Sequence, residues 1–245
     1  MSVSSFVQPV TPSDREDEDS SQVLRTHFLR RVAHDIASPA GVAITVIDEL
    51  SKTEKARPEL LAMARRSLRR LLRLSEQLSF VAELETGNLE PSTENIDIGE
   101  LARKSLETAL ALDGRKDIVA TSEFPPAPLV VQVDPQMLFL VIREAVGNAL
   151  KLAGSSVTLS VQQRRDAVVV RVDDDGPGFS EEVLATVTKR FIRRDAARGL
   201  GLSLSMAFEI VRAHHGTLSI EPSMLPPGPR ETRGAAVVMT LPQAR

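Results

Sequence analysis

The sequence predicts an α+β protein: a helical hairpin that forms a dimeric four-helix bundle, followed by an α/β sandwich with a mixed, partly antiparallel sheet. The first observation is that apolar residues between residues 23 and 90 recur at steps of three and four, as on helix faces. The second is that strand-like and helical segments alternate after Gly87, and several strand-like segments follow one another closely. Strands that neighbour one another in sequence favour a mixed sheet over a doubly wound parallel sheet.

Three parts of the chain follow from this pattern. Residues 1–22 are rich in acidic residues and serine, and such a segment cannot bury enough apolar surface to become ordered, so we predict a disordered acidic tail. Residues 23–90 form the hairpin, and residues 91–245 form the sandwich.

Each helix of the hairpin has its own apolar line. In the first helix the line is Phe28, Val32, Ile36, Ala40, Ala43, Ile47 and Leu50. Pro39 and Gly41 interrupt it without ending it, which predicts a local kink. Pro58 marks the start of the second helix. The heptad seam of that helix is Leu61, Ala64, Leu68, Leu71, Ser75 and Leu78.

Two helices alone leave a long apolar face uncovered. A second copy of the chain would cover this face and complete a four-helix bundle, so we expect a homodimer. A set of arginines lies largely off the seam of the second helix, and for these residues a solvated face is favoured over a docking patch. They are Arg65, Arg66, Arg69, Arg70 and Arg73.

The sandwich contains predicted helices and strands in alternation. The helices are 101–112, 137–152 and 202–214, and the strands are 129–133, 157–161, 168–172, 217–221 and 235–241.

Composition excludes several function classes. The net charge of −3 over 245 residues gives no reason to expect nucleic acid or a membrane surface as a partner. Without cysteine there are neither disulfides nor thiolate metal sites. No apolar run approaches the length that crosses a bilayer, and the N-terminus has no signal-peptide core, so we expect a soluble, cytoplasmic protein.

Three segments of the sandwich have the residue types of a nucleotide site. The segment Asp174-Asp-Gly-Pro-Gly178 places a carboxylate and two glycines after a strand, although such residues also build plain turns. The segment Arg198-Gly-Leu-Gly-Leu202 opens a helix, whose free N–H groups suit phosphate, with a plain helix entry as an equal alternative. Glu144, Asn148 and Lys151 share one helix face and suit Mg²⁺–triphosphate, whereas an isolated triplet of this kind is usually solvated surface.

Taken in chain order, the segment with Glu144, Asn148 and Lys151 resembles the N box, and the segments 174–178 and 198–202 resemble the two glycine boxes, of the GHKL (Bergerat-fold) ATPases. Upstream, the segment from Phe28 to Pro39, which contains His34-Asp35, resembles the H box of two-component histidine kinases. Further matches are the hairpin exit 78–87, the phenylalanine box 189–193 and His214-His-Gly216. The resemblance covers residues 23–245 and implies a sensor histidine kinase catalytic core. Its dimerisation and histidine phosphotransfer hairpin would be 23–90, and its ATP-binding catalytic domain 91–245.

The resemblance implies that ATP phosphorylates His34 and that the phosphate then passes to an aspartate on the receiver domain of a response regulator. Asp35 would act as base or orienter, and the hydroxyl of Ser38 could orient water for phosphatase activity. Asp174 would accept the adenine amino group. The implied ATP-binding residues are Asn148, Lys151, Asp174, Gly176, Gly178, Phe191, Arg193, Gly199 and Gly201. Mg²⁺ would arrive with the nucleotide, with Asn148 and Glu144 as its protein contacts.

The sequence departs from the family pattern at several positions. Glu144 replaces a common asparagine and is a base in some relatives, Leu152 replaces an aromatic residue, and Ala197 replaces a glycine. These changes keep open a second hypothesis, an ATP-independent dimeric phosphotransfer or adaptor protein. A serine kinase acting on an anti-sigma partner ranks last because it gives His34 no role. We further expect a separate sensor or input protein, a structural His27, and a dipole role for His214 and His215 at a helix end.

Overall fold

The computed structural model describes residues 32–50, 57–86, 89–113, 117–179, 203–229 and 231–244. It divides into two compact units, residues 1–71 and 72–245. The predicted tail lies outside the described residues. The second compact unit begins at residue 72, within the second long helix. The predicted domain boundary near residue 90 stays a prediction.

The described residues form five helices and seven strands. The helices are α1 (32–50), α2 (Pro58–Thr86), α3 (Ile98–Asp113), α4 (Pro135–Leu152) and α5 (Ser203–Ala213). The strands are β1 (Glu94–Asp97), β2 (Val119–Glu123), β3 (Val130–Val133), β4 (Ser156–Arg164), β5 (Ala167–Asp174), β6 (Thr217–Pro222) and β7 (Ala235–Pro242). No described helix combines the length and apolar character needed to cross a membrane.

Helix α1 runs through Pro39 and Gly41 without interruption. Its buried side chains are Asp35, Pro39, Ala43 and Val46, while two members of the predicted stripe, Ile36 and Ile47, are 40% and 54% exposed. Of the stripe predicted from the sequence, this chain therefore buries Ala43 but leaves Ile36 and Ile47 exposed.

The large sheet has the strand order β2-β4-β5-β7-β6. Strand β2 runs parallel to β4, and the other three pairs are antiparallel, with Val170 opposite both Val161 and Met239. Strands β1 and β3 form a separate antiparallel pair. The mixed, partly antiparallel sheet predicted from the sequence is confirmed.

The core of the second unit lies between one face of this sheet and the helices. Alternate residues of β5, namely Val168, Val170 and Val172, are fully buried, as period-two side chains on one sheet face must be. Helix α4 contributes Ile142, Val146 and Leu150 at four-residue steps. The C-terminal part of α2 joins the same cluster through Phe80. Burial of this apolar face holds α4 on the sheet.

Asp134 fixes where α4 begins. Its side chain accepts hydrogen bonds from the backbone N–H groups of Gln136 and Met137, both at 3.0 Å, and Pro135 occupies the first helical turn. This is the usual chemistry of an N-cap followed by proline, since both orphan donors are satisfied and proline has no N–H to lose.

Candidate functional site

His34 lies on α1 in the first unit, with a side chain that is 79% exposed. Its Nδ1 is 3.5 Å from Oδ1 of Asp35, whose side chain is only 8% exposed. An imidazole with one nitrogen beside a carboxylate and most of its surface in water can direct its other nitrogen at an incoming electrophile. Ser38, one turn later, is exposed.

Asp35 also contacts the second helix of the hairpin. Arg70 on α2 donates from Nη2 to the same Oδ1 at 3.3 Å. The solvated face that we favoured for the arginine set is therefore wrong for Arg70, which turns toward α1. Sequence spacing gave no signal for this pair, because the two residues are 35 positions apart.

The polar face of α4 in the second unit carries Glu144, Asn148 and Lys151. The structure places these side chains in different surroundings: Glu144 is 4% exposed, Asn148 is half-buried and Lys151 is exposed. The three predicted residues thus share a face, as expected, but not a common environment.

The carboxylate of Glu144 is held by neighbours on α2 and α4. It accepts hydrogen bonds from Gln77 Nε2 and from Arg143 Nη2, both at 3.2 Å, and lies 3.5 Å from Arg73 Nε. A cavity of about 10 Å³, room for about one water molecule, lies among Arg73, Arg143, Glu144 and Lys151. In this conformation Glu144 joins α2 to α4 instead of presenting its carboxylate to a nucleotide.

Arg143 completes the same cluster. It donates to Glu76 Oε2 at 2.6 Å as well as to Glu144. Burial disfavours its charge, but Glu76 and Glu144 outweigh burial and raise the pKa of Arg143 above its ordinary value. Two arginines and two glutamates therefore make a compact network, and Arg73 is a second arginine for which the predicted solvated face is wrong.

Asp174 is the last residue of β5 and is 7% exposed. Its Oδ1 accepts the backbone N–H of Gly176 at 2.8 Å. Burial raises the pKa of Asp174, opposed by backbone N–H groups of Gly176 and Ala235 and reinforced by the neighbouring carboxylates. A buried carboxylate is a strong acceptor for an amino group. The adenine role expected of Asp174 stays a prediction.

The glycines of the same loop serve close backbone packing. A Cβ at Gly176 would lie 2.6 Å from the carbonyl oxygen of Leu152, at the end of α4. Gly178 has a φ of +69°, and a Cβ there would lie 2.7 Å from the carbonyl oxygen of Arg233. The loop 174–178 is thereby brought against the end of the helix that carries Asn148 and Lys151.

Asp175, which was not predicted from the sequence as a site residue, anchors this loop to residues 154 and 155. Its carboxylate accepts the backbone N–H groups of Gly154 and Ser155, at 2.8 and 3.0 Å, and the hydroxyl of Ser155 at 2.5 Å. Burial opposes its charge, yet these donors outweigh burial and hold the pKa of Asp175 well below its ordinary value. The only sequence signal was a third aspartate in a row after a strand.

His214 is buried, with 3% of its surface exposed. Its Nδ1 lies 2.7 Å from the carbonyl oxygen of Ile210, and its Nε2 accepts the backbone N–H of Asp134 at 2.9 Å. A dipole role at the helix end is therefore not the explanation for His214. Four predicted ATP contacts, Phe191, Arg193, Gly199 and Gly201, lie outside the described residues.

Comparison with known proteins identifies the type of domain. Residues 133–245 match the family model described as histidine kinase-, DNA gyrase B-, and HSP90-like ATPase. The chain is similar to the signal transduction histidine-protein kinase AfsQ2 of Streptomyces coelicolor, with 32% identity over 179 residues that cover 71% of this chain and 31% of AfsQ2. The chain spans less than half the length of AfsQ2, of the heme sensor protein HssS and of the sensor protein KdpD, all of which it matches.

Solved structures also resemble this chain. The mycobacterial sensor histidine kinase MprB has 25% identity and a TM-score of 0.54, over 62% of this chain and 97% of MprB. Full-length ShkA in complex with AMPPNP shares the fold, with a TM-score of 0.63 and 20% identity over 89% of this chain and 46% of ShkA. The histidine kinase catalytic core and the α/β sandwich recognised from the sequence are confirmed.

Proposed function

Since residues 133–245 belong to the histidine kinase-, DNA gyrase B- and HSP90-like ATPases, we propose that this chain is an autophosphorylating histidine kinase of a two-component system. It takes the γ-phosphoryl group of ATP onto His34 and passes it to an aspartate on the receiver domain of a response regulator. Because ATP is the donor, the reaction belongs in the cytoplasm. A separate sensor or input protein would supply the signal.

The observation that carries this proposal is the arrangement of His34. The ring is 79% exposed, and its Nδ1 faces the buried carboxylate of Asp35 at 3.5 Å. With the proton on Nδ1, the lone pair on Nε2 can attack the γ-phosphorus while the bond to the ADP oxygen breaks. The positive charge that develops on the ring is stabilised by the nearby carboxylate of Asp35.

The second unit supplies the nucleotide contacts. We assign the adenine amino group to Asp174, and the phosphates to Lys151 together with the predicted contacts Arg193, Gly199 and Gly201. Phe191 stays a predicted ATP contact. Mg²⁺, which would neutralise phosphate charge, is assigned to the amide oxygen of Asn148. The network around Glu144 favours a structural role for that residue over a magnesium contact.

The dimer expected from the sequence is part of the proposal. Apolar side chains of α1 and α2 that are 39–65% exposed include Val42, Ile44, Ile47, Leu61, Met63, Leu68 and Leu72. A hairpin with this many exposed apolar residues gains stability when a second hairpin covers them.

Labelling with ATP tests the kinase. Wild type, His34→Ala and His215→Asn, the last a control at an exposed histidine of the second unit, are incubated with γ-labelled ATP and Mg²⁺. Acid-labile, alkali-stable label on wild type and His215→Asn, but not on His34→Ala, is the expected result. Transfer of this label to purified receiver domains then tests the partner.

The adaptor alternative draws on the departures at Leu152 and Ala197. The similarity to AfsQ2 and MprB, which are histidine kinases, favours the kinase over it. Calorimetric titration with a non-hydrolysable ATP analogue separates the two, because an adaptor would show no Mg²⁺-dependent binding.

A further inference from the structure

The carboxylate of Asp35 on α1 is paired with the guanidinium group of Arg70 on α2. The side chain of Asp35 is 8% exposed and that of Arg70 is 38% exposed, with Nη2 and Oδ1 at 3.3 Å. A carboxylate removed from water is stabilised chiefly by a hydrogen-bonded opposite charge. Arg70 therefore offsets the cost of turning Asp35 toward the inside of the hairpin.

Both contacts of Asp35 use the same oxygen. Oδ1 lies 3.3 Å from Arg70 Nη2 and 3.5 Å from His34 Nδ1. The other oxygen, Oδ2, is buried and accepts no hydrogen bond from the described residues. The rotation of the carboxylate is thus set by the contact that Arg70 makes, and this rotation presents Oδ1 to His34.

Helix geometry alone does not produce the contact between Asp35 and His34. Side chains of adjacent helical residues point in directions about 100° apart, so neighbours in sequence do not face each other. The exposed ring of His34 and the buried carboxylate of Asp35 follow this rule. An external anchor is needed to keep the carboxylate within reach of the ring.

We propose that Arg70 is a positioning residue for the phosphorylation of His34. It holds Oδ1 of Asp35 beside Nδ1 of His34, which keeps the proton on Nδ1 and leaves the lone pair of Nε2 for attack. This inference rests on the proposed function. In the step, an Nε2–phosphorus bond forms, the bond from phosphorus to the bridging oxygen breaks with its electrons going to ADP, and Asp35 stabilises the Nδ1 proton.

Steady-state labelling kinetics test this role. Arg70→Gln is compared with Arg66→Gln, a matched change at an exposed arginine of the same helix. We expect kcat for His34 labelling to fall about 10- to 100-fold in Arg70→Gln, with KM for ATP within about twofold of wild type. Arg66→Gln should match wild type. Arg70→Lys should recover part of the rate, because lysine keeps the positive charge but lacks the planar guanidinium group with its paired N–H donors.

A spectroscopic readout separates positioning from loss of structure. In ¹⁵N NMR spectra of the full chain without ATP, wild-type His34 should be mainly the Nδ1–H tautomer, and Arg70→Gln should lose this preference. Adding Asp35→Asn to Arg70→Gln should cause little further loss of rate, since both changes remove one interaction. If circular dichroism shows that Arg70→Gln unfolds the hairpin, the labelling kinetics and the His34 tautomer are measured on Arg70→Lys instead.

An unchanged or higher kcat in folded Arg70→Gln, or an equal loss in Arg66→Gln, would overturn the proposal. An unchanged His34 tautomer in Arg70→Gln would also overturn it. Failure of the kinase itself looks different, because wild type and Arg66→Gln would then leave His34 unlabelled. The tautomer measurement needs no ATP and still decides whether Arg70 positions Asp35.

Discussion

The buried ring of His214 holds the residue that caps α4: its Nε2 accepts the backbone N–H of Asp134 at 2.9 Å. Because the other nitrogen, Nδ1, contacts the carbonyl oxygen of Ile210, the ring connects α5 to the start of α4. The helix that carries Asn148 is thereby fixed at its N-terminus by a side chain 80 residues further along the chain.

Replacing His214 should therefore destabilise the second unit. His214→Ala leaves a buried N–H and a buried carbonyl group without this partner, and we expect a loss of about 2 kcal/mol in the free energy of unfolding. His215→Asn is the control, since His215 is exposed with a φ of 58°, which asparagine tolerates. Urea unfolding measures both, and equal stabilities for the two variants would contradict the role given to His214.

Asp174→Asn should separate stability from nucleotide binding. Because burial raises the pKa of Asp174 in the folded state, its folding contribution is most favourable at acid pH and is lost as pH rises through the folded pKa. Near pH 7 the neutral amide should therefore increase thermal stability, and this gain should vanish when the pH is lowered below the ordinary pKa of aspartate. ATP affinity should fall about 10- to 100-fold, because the acceptor for the amino group is weakened.

Asp175→Asn should show the opposite dependence on pH. The pKa of Asp175 is depressed in the folded state, so its charge stabilises the fold above the unfolded pKa of about 3.8 and this stabilisation is lost as pH falls through the folded pKa. We expect Asp175→Asn to cost about 2 kcal/mol at pH 7, since charge-assisted hydrogen bonds to Gly154 and Ser155 are weakened. Denaturant titrations at pH 7 and pH 3 check this, and a difference that grows toward acid pH would contradict it.

Glu144→Gln tests whether Glu144 serves structure or the metal. Loss of the carboxylate from the network with Arg73 and Arg143 should lower the stability of the second unit by about 1–3 kcal/mol. The Mg²⁺ concentration needed for ATP binding should stay within about threefold of wild type. Asn148→Ala is the companion variant and should raise that Mg²⁺ requirement while changing stability less, as titration calorimetry at several Mg²⁺ concentrations will show.

Ile47→Lys tests the dimer. Ile47 is 54% exposed on α1, and a charge at this position would be buried if a second hairpin covered it. We expect the dimer dissociation constant to rise at least about tenfold in analytical ultracentrifugation. Val119→Lys is the matched control, since Val119 is 64% exposed on an edge strand of the second unit, and it should leave the association state unchanged. If Ile47→Lys and Val119→Lys both associate like wild type, Ile47 of α1 does not lie in the dimer interface.

The sequence predicted most elements of the second unit within a few residues. Helix α4 was expected over 137–152 and is observed over Pro135–Leu152, and β7 was expected over 235–241 and is observed over Ala235–Pro242. These elements are largely buried, and burial selects apolar residues at helical steps in α4 and as a continuous apolar run in β7. Strands β1 and β2 were missed, because they are short and largely exposed and so carry no such period.

The predicted site residues divide in the same way. His34, Asp174 and the glycines of the loop 174–178 could be predicted from the sequence because a short segment contains the whole chemical unit. The partners of Asp35, Glu144 and Asp134 were not, since Arg70, Gln77 and His214 come from distant parts of the sequence.

By itself, the sequence determined the helical hairpin, the mixed α/β sandwich and the order of the segments that bear the histidine and the nucleotide loop. Local periodicity and backbone requirements of glycine and proline act over a few residues, so they can be read directly. Only the tertiary structure decided which charges pair. Arg70 turns to Asp35 and Arg73 to Glu144, while Arg66 on the same helix stays exposed. A charged residue looks the same in sequence whether it faces water or a buried partner, and the partner is supplied by packing.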